Sequence, residues 1–249
     1  MQQDERLVVV TGASSGIGAA LVEHLVSRGV TVIAAARRAA ALTALAQGHG
    51  GAVEPVAADV ADEHGRAALV AAVGGRRLLA LVHNAGVLEP VGPLSEVSLA
   101  EWRHSQAVNV EGPLFLTQAL LGPLSGGGRV LHVSSGAAHN PYVGWGAYCT
   151  AKAALYMLYQ VLREELKGRG IAVGSVRPGV VDTPMQALIR RQTAERFPSV
   201  ERFIRLKEQG QLRSPEAVAG YIGGLLLDLP AERFSAHEWD INDPAHSFQ

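Results

Sequence analysis

Short apolar runs recur along the chain, separated by longer stretches with helical periodicity. The runs at 7–10, 30–35, 53–57, 79–83, 129–133 and 171–176 read as strands, with a weaker seventh near 237–241. Most are apolar at every position instead of alternating. That is the pattern of parallel strands covered on both faces. Between them, 18–28, 39–47, 63–73, 99–121, 148–168 and 215–229 read as helices. This alternation, with right-handed crossovers, predicts an α/β fold built on a doubly wound parallel sheet flanked by helices. The glycine clusters at 48–51 and 126–128 fall between elements and read as turns.

One stretch breaks the alternation. Residues 183–212 follow the sixth strand and hold helical pieces rich in Arg, Glu and Gln, bracketed by Pro184 and Pro215. Ligands of open α/β sheets bind beyond the carboxyl ends of the strands. Long insertions inside compact domains tend to be functional, so this one is expected to form a lid over substrate. The alternative is a solvated surface excursion.

Composition narrows the class. A chain of 249 residues, 48% hydrophobic and 18% charged, suits one ordinary globular domain. The formal net charge of -1 offers no field for nucleic acid or an anionic membrane. Cys149 is the single cysteine, which rules out an intrachain disulfide and permits a reducing compartment. The polar start at 1–6 lacks a signal-peptide pattern, and no apolar run reaches the roughly 18 residues that would span a bilayer. A cytoplasmic protein with no metal site is expected.

The chemistry begins at Thr11-Gly12-Ala13-Ser14-Ser15-Gly16-Ile17-Gly18, between the first strand and the first helix. Its glycines permit a tight turn and close approach to a pyrophosphate, and the helix start offers free N–H groups and a positive dipole end. The spacing is GxxxGxG. In this strand–turn–helix setting it marks a Rossmann-type dinucleotide site. The second strand ends in Ala34-Ala35-Ala36-Arg37-Arg38, without the acid that would hold the ribose hydroxyls of NAD. Two arginines there point to NADPH/NADP+, unless both are solvated charges at a helix start. Asp59-Val60 closes the third strand, where Asp59 either meets the adenine amino group or caps the next helix. Asn84-Ala85-Gly86 closes the fourth, a small strand end suited to a cofactor.

Tyr148 and Lys152 are four residues apart on a predicted helix and share a face. A nearby cation lowers the phenol's usual pKa near 10 and fits it for proton transfer to a carbonyl oxygen. Ser135, 13 residues earlier at the end of the fifth strand, is placed to donate a hydrogen bond to that oxygen. Asn109 is a poor helix former inside a long helix and is a candidate to hold a water linking Lys152 to solvent. After the sixth strand, Pro178-Gly179 turns the chain. The Val181 backbone and Thr183 hydroxyl are then candidates for holding the nicotinamide carboxamide, unless Thr183 is an ordinary N-cap.

Together these motifs resemble the short-chain dehydrogenase/reductase family over essentially 7–241. The resemblance implies a single Rossmann domain, 1–249, with a seven-stranded sheet and the insertion at about 183–212. It also implies a tetrad of Asn109, Ser135, Tyr148 and Lys152, with Lys152 holding the nicotinamide ribose. The stretch from Ser134 to Cys149, with Arg202 to Lys207 and Leu212 to Glu216, is similar to the bacterial benzil reductases, themselves similar to sepiapterin reductase. That likeness implies NADPH-dependent reduction of a vicinal dicarbonyl to a chiral hydroxyketone. Two departures stand out. Ser15 occupies the place where many NADPH-using relatives carry a basic residue. The ending Asp240-Ile241-Asn242-Asp243 lacks the glycine-rich close of many tetrameric members, so a homodimer is expected before a tetramer.

Tyr142, Trp145, Met185, Leu188 and Ile189 are the expected pocket lining. Apolar and aromatic walls suit a flat aryl diketone, although Tyr142 and Trp145 could equally pack their loop. Three other functions stay open: a secondary-alcohol or steroid dehydrogenase, a pterin reductase, and a dinucleotide sensor without catalysis.

Overall fold

The computed structural model describes residues 6–246; the polar stretch 1–5 and residues 247–249 lie outside them. The strands are β1 (Leu7–Thr11), β2 (Thr31–Ala36), β3 (Val53–Ala57), β4 (Leu78–His83), β5 (Arg129–Val133), β6 (Ala172–Arg177) and β7 (Glu238–Asp240). They form one sheet in the order β3-β2-β1-β4-β5-β6-β7, and every pairing is parallel. The helices are α1 (Gly16–Ser27), α2 (Ala39–Ala46), α3 (Glu63–Val73), α4 (Leu99–Gln106), α5 (Gly112–Ala119), α6 (Leu121–Leu124), α7 (Gly146–Leu166), α8 (Pro184–Arg190), α9 (Val200–Glu208), α10 (Pro215–Leu227) and α11 (Ala231–Phe234).

Successive strand residues face opposite sides of a sheet, and here both sides are covered. Val8 and Val10 pack with Leu21, Leu25, Val218 and Ile222 of α1 and α10. Leu7 and Val9 pack with Leu69, Leu116, Tyr159 and Leu162 of α3, α5 and α7. Each such buried side chain stabilises the fold by about 1.5–3 kcal/mol. This two-sided burial is why the central strands lack alternation. The edge strand β3 is less covered, with Pro55 and Ala57 exposed, and tolerates the proline, as an edge allows.

The helix expected over 99–121 is interrupted. A π-helical turn at Ala107–Glu111 separates α4 from α5. Single π turns insert one extra residue and recur at functional sites. Here the turn carries Asn109, whose side chain bonds outside its own helix. Between β6 and α10, the expected insertion forms α8 and α9. Among the described residues, no helix is long and apolar enough to cross a membrane, and no group of acidic, His or Cys side chains could hold a metal.

Candidate active site

A cavity of about 640 Å³ opens at the carboxyl ends of the central strands. It lies at the switch point between β1 and β4, where open α/β sheets bind ligands. Every site residue expected from the sequence lines it except Gly18 and Asn109.

The turn after β1 forms the first wall. Gly12 has φ +68°, and a Cβ there would come within 2.8 Å of Ala85 Cα. Both the conformation and the close approach therefore require glycine. Asn84 Nδ2 donates to Thr11 O at 2.9 Å, and Thr11 Oγ1 accepts from the N–H groups of Asn84 and Ala85 at 3.1 Å. Gly18 lies beneath this seam, where a Cβ would run into the Gly12 carbonyl. Its part is packing, and it does not reach the cavity. Ser15 is the N-cap of α1 and makes no side-chain cap bond. No side chain therefore competes with an anion at that helix start.

Arg38 reaches back from the end of β2 to this turn. Its guanidinium donates to Ser14 Oγ at 2.9 and 3.2 Å and to Ser14 O at 3.1 Å. Arg37 is more open, with 61% of its side chain exposed, and lies 3.9 Å from Asp59. Such an exposed pair contributes little. Asp59 Oδ1 accepts from Ala61 N at 2.9 Å, whereas Asp62 caps α3 by accepting from Gly65 N at 2.6 Å. Of the two roles set out for Asp59, the helix cap thus belongs to Asp62. A turn with no room for a Cβ at Gly12 or Gly16, an uncapped helix start and two arginines fit a phosphate-bearing dinucleotide.

β5 and α7 bring the reactive side chains together. Ser135 leaves β5 in extended backbone, its Oγ accepting from Ala137 N at 3.1 Å. Tyr148 sits buried in the first turn of α7. One turn on, Lys152 Nζ donates to Val133 O at 2.9 Å and lies 5.7 Å from the Tyr148 ring centre. Burial pushes the Tyr148 phenol up to about 12, against a hydrogen bond with Ser135. Burial pushes Lys152 down to about 8. The expected lowering of the phenol by Lys152 is therefore reversed in this structure. Desolvation is the dominant effect, and the Lys152 ammonium donates to a backbone carbonyl instead.

The buried ammonium has a measurable consequence. Unfolded, Lys152 holds its proton up to its ordinary value of 10.5; folded, it releases it near 8. The unfolded state therefore binds more protons between those values, and this group's contribution to stability rises with pH across that window. Lys152→Met is expected to stabilise the ligand-free protein by about 1–2 kcal/mol at pH 7, as relief of a buried charge commonly does. The gain should fade as pH approaches 10.5. Denaturant melts of both proteins at pH 7 and pH 10 check this.

Asn109 is buried, and its amide is committed: Oδ1 accepts from Val87 N at 3.2 Å, while Nδ2 donates to Val87 O and Ser105 O at 3.0 Å. It pins the segment after β4 to the π turn, so the side chain is not free to hold the water expected of it. Thr183 is the N-cap of α8, accepting from Gln186 N at 3.3 Å. Its methyl lies 2.9 Å from where a Cβ on Gly16 would stand, which brings the loop from β6 against the dinucleotide turn.

Tyr142, Trp145, Met185, Leu188 and Ile189 line the outer half, joined by Phe203 of α9. Trp145 is also core, stacked on Phe197 at 4.4 Å between centroids and 7° between planes. It packs the loop and lines the cavity at once. Phe203 was not picked out, because helical periodicity marks it as inward-facing and does not say that the inside is a cavity. Asn242 and Arg177, also in the lining, come from β6 and the chain after β7 and carry no local motif.

Comparison with known proteins agrees with this geometry. The family model of short chain dehydrogenases matches residues 6–194. A benzil reductase ((S)-benzoin forming) from Bacillus cereus is 36% identical over 233 residues, covering 89% of this chain and 94% of that protein. A short chain dehydrogenase/reductase from Saccharomyces cerevisiae superposes with a TM-score of 0.91 at 31% identity, covering 97% of this chain and 98% of that one. A 3-ketoacyl-(acyl-carrier-protein) reductase from Brucella melitensis, crystallised with NADH, shares the fold at 24% identity and a TM-score of 0.81, covering 98% of this chain and all of that one. With its motifs, sheet order and cavity in agreement, this chain belongs to the short chain dehydrogenase family of oxidoreductases acting on CH–OH and C=O groups.

Proposed function

We propose that this protein is an NADPH-dependent reductase of vicinal diketones, benzil-type substrates above all, and forms a hydroxyketone. The observation that carries the proposal is the convergence of Ser135, Tyr148 and Lys152 between the dinucleotide turn and an aromatic wall. Benzil reductases among its relatives, at 34–36% identity, support the substrate class.

In this reading Gly12, Ser14, Ser15, Gly16 and Ile17 cradle the pyrophosphate, with Gly18 packing behind them. Arg37 and Arg38 take the 2′-phosphate. Asp59 and Val60 would meet the adenine, and the small strand end Asn84, Ala85 and Gly86 would let the cofactor approach closely. Pro178, Gly179, Val181 and Thr183 fix the nicotinamide face. NADPH, when bound, supplies the hydride that reduces the carbonyl carbon. Tyr148 gives its hydroxyl proton to the carbonyl oxygen as that oxygen becomes an alkoxide. Ser135 donates to the same oxygen and orients it. A phenol held at about 12 stays protonated at neutral pH, and an alkoxide is a far stronger base than its phenolate. Tyr142, Trp145, Met185, Leu188 and Ile189 would take the aryl groups.

The proposal includes a single domain with 183–212 as its lid, in a cytoplasmic homodimer. Exposed Leu99, Phe115, Met157 and Val161 on α4, α5 and α7 support a second copy packing there. The test is loss of nicotinamide absorbance with benzil or 1-phenyl-1,2-propanedione. Rapid oxidation of NADPH with little of NADH is expected. Silence with both cofactors on all diketones, with turnover of secondary alcohols instead, would overturn the substrate class. Turnover of neither leaves the sensor.

A further inference from the structure

The middle of the insertion is pinned by one residue to two loops that frame the cavity. Arg196, between α8 and α9, donates from Nε to Val91 O at 2.9 Å, and its NH1 lies 3.3 Å from Glu96 Oε2. The seat is made by two glycines. Gly92 follows β4 in the chain and has φ +145°; a Cβ there would occupy the place of the Arg196 guanidinium. Gly144 follows β5 and has φ +88°; a Cβ there would collide with the Arg196 carbonyl oxygen. The two glycines join through Gly92 N to Gly144 O at 2.8 Å, and Gly92 bridges to Trp145. The residue after Arg196 is Phe197, fully buried and stacked on Trp145. Phe203 of α9 completes the cluster at 5.3 Å from Trp145 and 5.5 Å from Phe197.

We infer that Arg196 is a positioning residue that sets the substrate wall: seated between Gly92 and Gly144, it holds Phe197 against Trp145 and so fixes the outer half of the cavity. The inference rests on the proposed diketone reading only for its choice of substrates. The ion pair with Glu96 is half exposed on both sides and contributes little. The bond to Val91 O and the glycine seat carry the function, because a guanidinium presents planar donors that no shorter side chain reproduces. Trp145 stands three residues before Tyr148, so its tilt decides how a large substrate presents its carbonyl to the phenol.

The test compares Arg196→Ala, Arg196→Lys and Glu96→Gln in the full chain with NADPH. With benzil, Arg196→Ala should raise KM about tenfold while kcat changes less than twofold. With 2,3-butanedione, too small to touch the outer wall, KM should stay within twofold, as should KM for NADPH. Arg196→Lys should recover part of the benzil KM, and Glu96→Gln should behave as wild type. Trp145 fluorescence gives a readout that needs no turnover: Arg196→Ala should red-shift the emission, and the shift should vanish in a Trp145→Phe background. A common rise for large and small diketones, or an Arg196→Ala emission matching wild type, overturns the positioning role. Should wild type fail to reduce diketones, the functional proposal falls and the fluorescence result alone decides Arg196. If Arg196→Ala does not fold, Gly144→Ala must reproduce the benzil KM rise from the other side of the seat, and wild-type KM there overturns the inference.

Discussion

Tyr148→Phe lowers kcat for diketone reduction by about 10³-fold, and leaves the Kd for NADPH within twofold. The substitution deletes one oxygen. The ring stays wedged against Trp145, whose centroid lies 6.0 Å away at 85°, so the wall keeps its shape. What disappears is the one proton donor that the site aims at the carbonyl oxygen, and a positioned acid is worth about 10²–10⁴-fold. Ser135 remains, and its hydrogen bond keeps the residual rate above that of free solution. The phenol, pushed up to about 12, is uncharged at neutral pH, so the substitution removes no charge and costs only the hydrogen bond with Ser135, about 0.5–1.5 kcal/mol. Steady-state kinetics and NADPH fluorescence titration on the same sample check both parts. Near-normal turnover would remove Tyr148 as proton donor and leave Ser135, with a bound water, as the nearest replacement.

The fold was legible because each central strand is buried twice over. Val8 and Leu7 point to opposite sides, and both sides are apolar, so a run without alternation could mean little else. The turn after β1 was legible for a local reason: its glycines, the preceding strand and the following helix adjoin in sequence. Asn109 shows where this ends. Its low helix propensity marks it as odd, but in the π turn its amide bonds Val87, 22 residues away, and no local pattern encodes that partner. Asp59 and Asp62 are a smaller case. Both stand before α3, and only the backbone path decides that Asp62 makes the cap. The sign of the Tyr148 shift was misjudged because spacing gives proximity to Lys152 and says nothing of desolvation, the larger effect here. The seat of Arg196 was invisible, since Gly92, Gly144 and Arg196 meet only in the folded chain.

Arg37→Asp with Arg38→Ala is expected to weaken NADPH by 10²-fold or more and leave NADH within about threefold. The two arginines do different work. Arg38 is already oriented by Ser14, with three bonds between 2.9 and 3.2 Å, so it presents a fixed charge beside the turn. Arg37 is more exposed and lies 3.9 Å from Asp59, a weak pair that a phosphate can replace. A hydrogen bond to a charged group is worth about 1.5–3 kcal/mol, so losing one arginine costs roughly 10–150-fold. An aspartate in its place adds repulsion of the phosphate while offering the ribose hydroxyls of NADH an acceptor. Single variants separate the contributions. Arg38→Ala should weaken NADPH by roughly 10-fold or more and, because it also frees Ser14, disturb NADH slightly; Arg37→Asp should discriminate more sharply between them. Because phosphate contacts are screened, the wild-type preference for NADPH should narrow as ionic strength rises. Titration of each variant with both cofactors at low and high salt measures this. Equal loss of NADPH and NADH would place the arginines at the shared pyrophosphate, and the 2′-phosphate would then have no cation among the cavity residues at the end of β2.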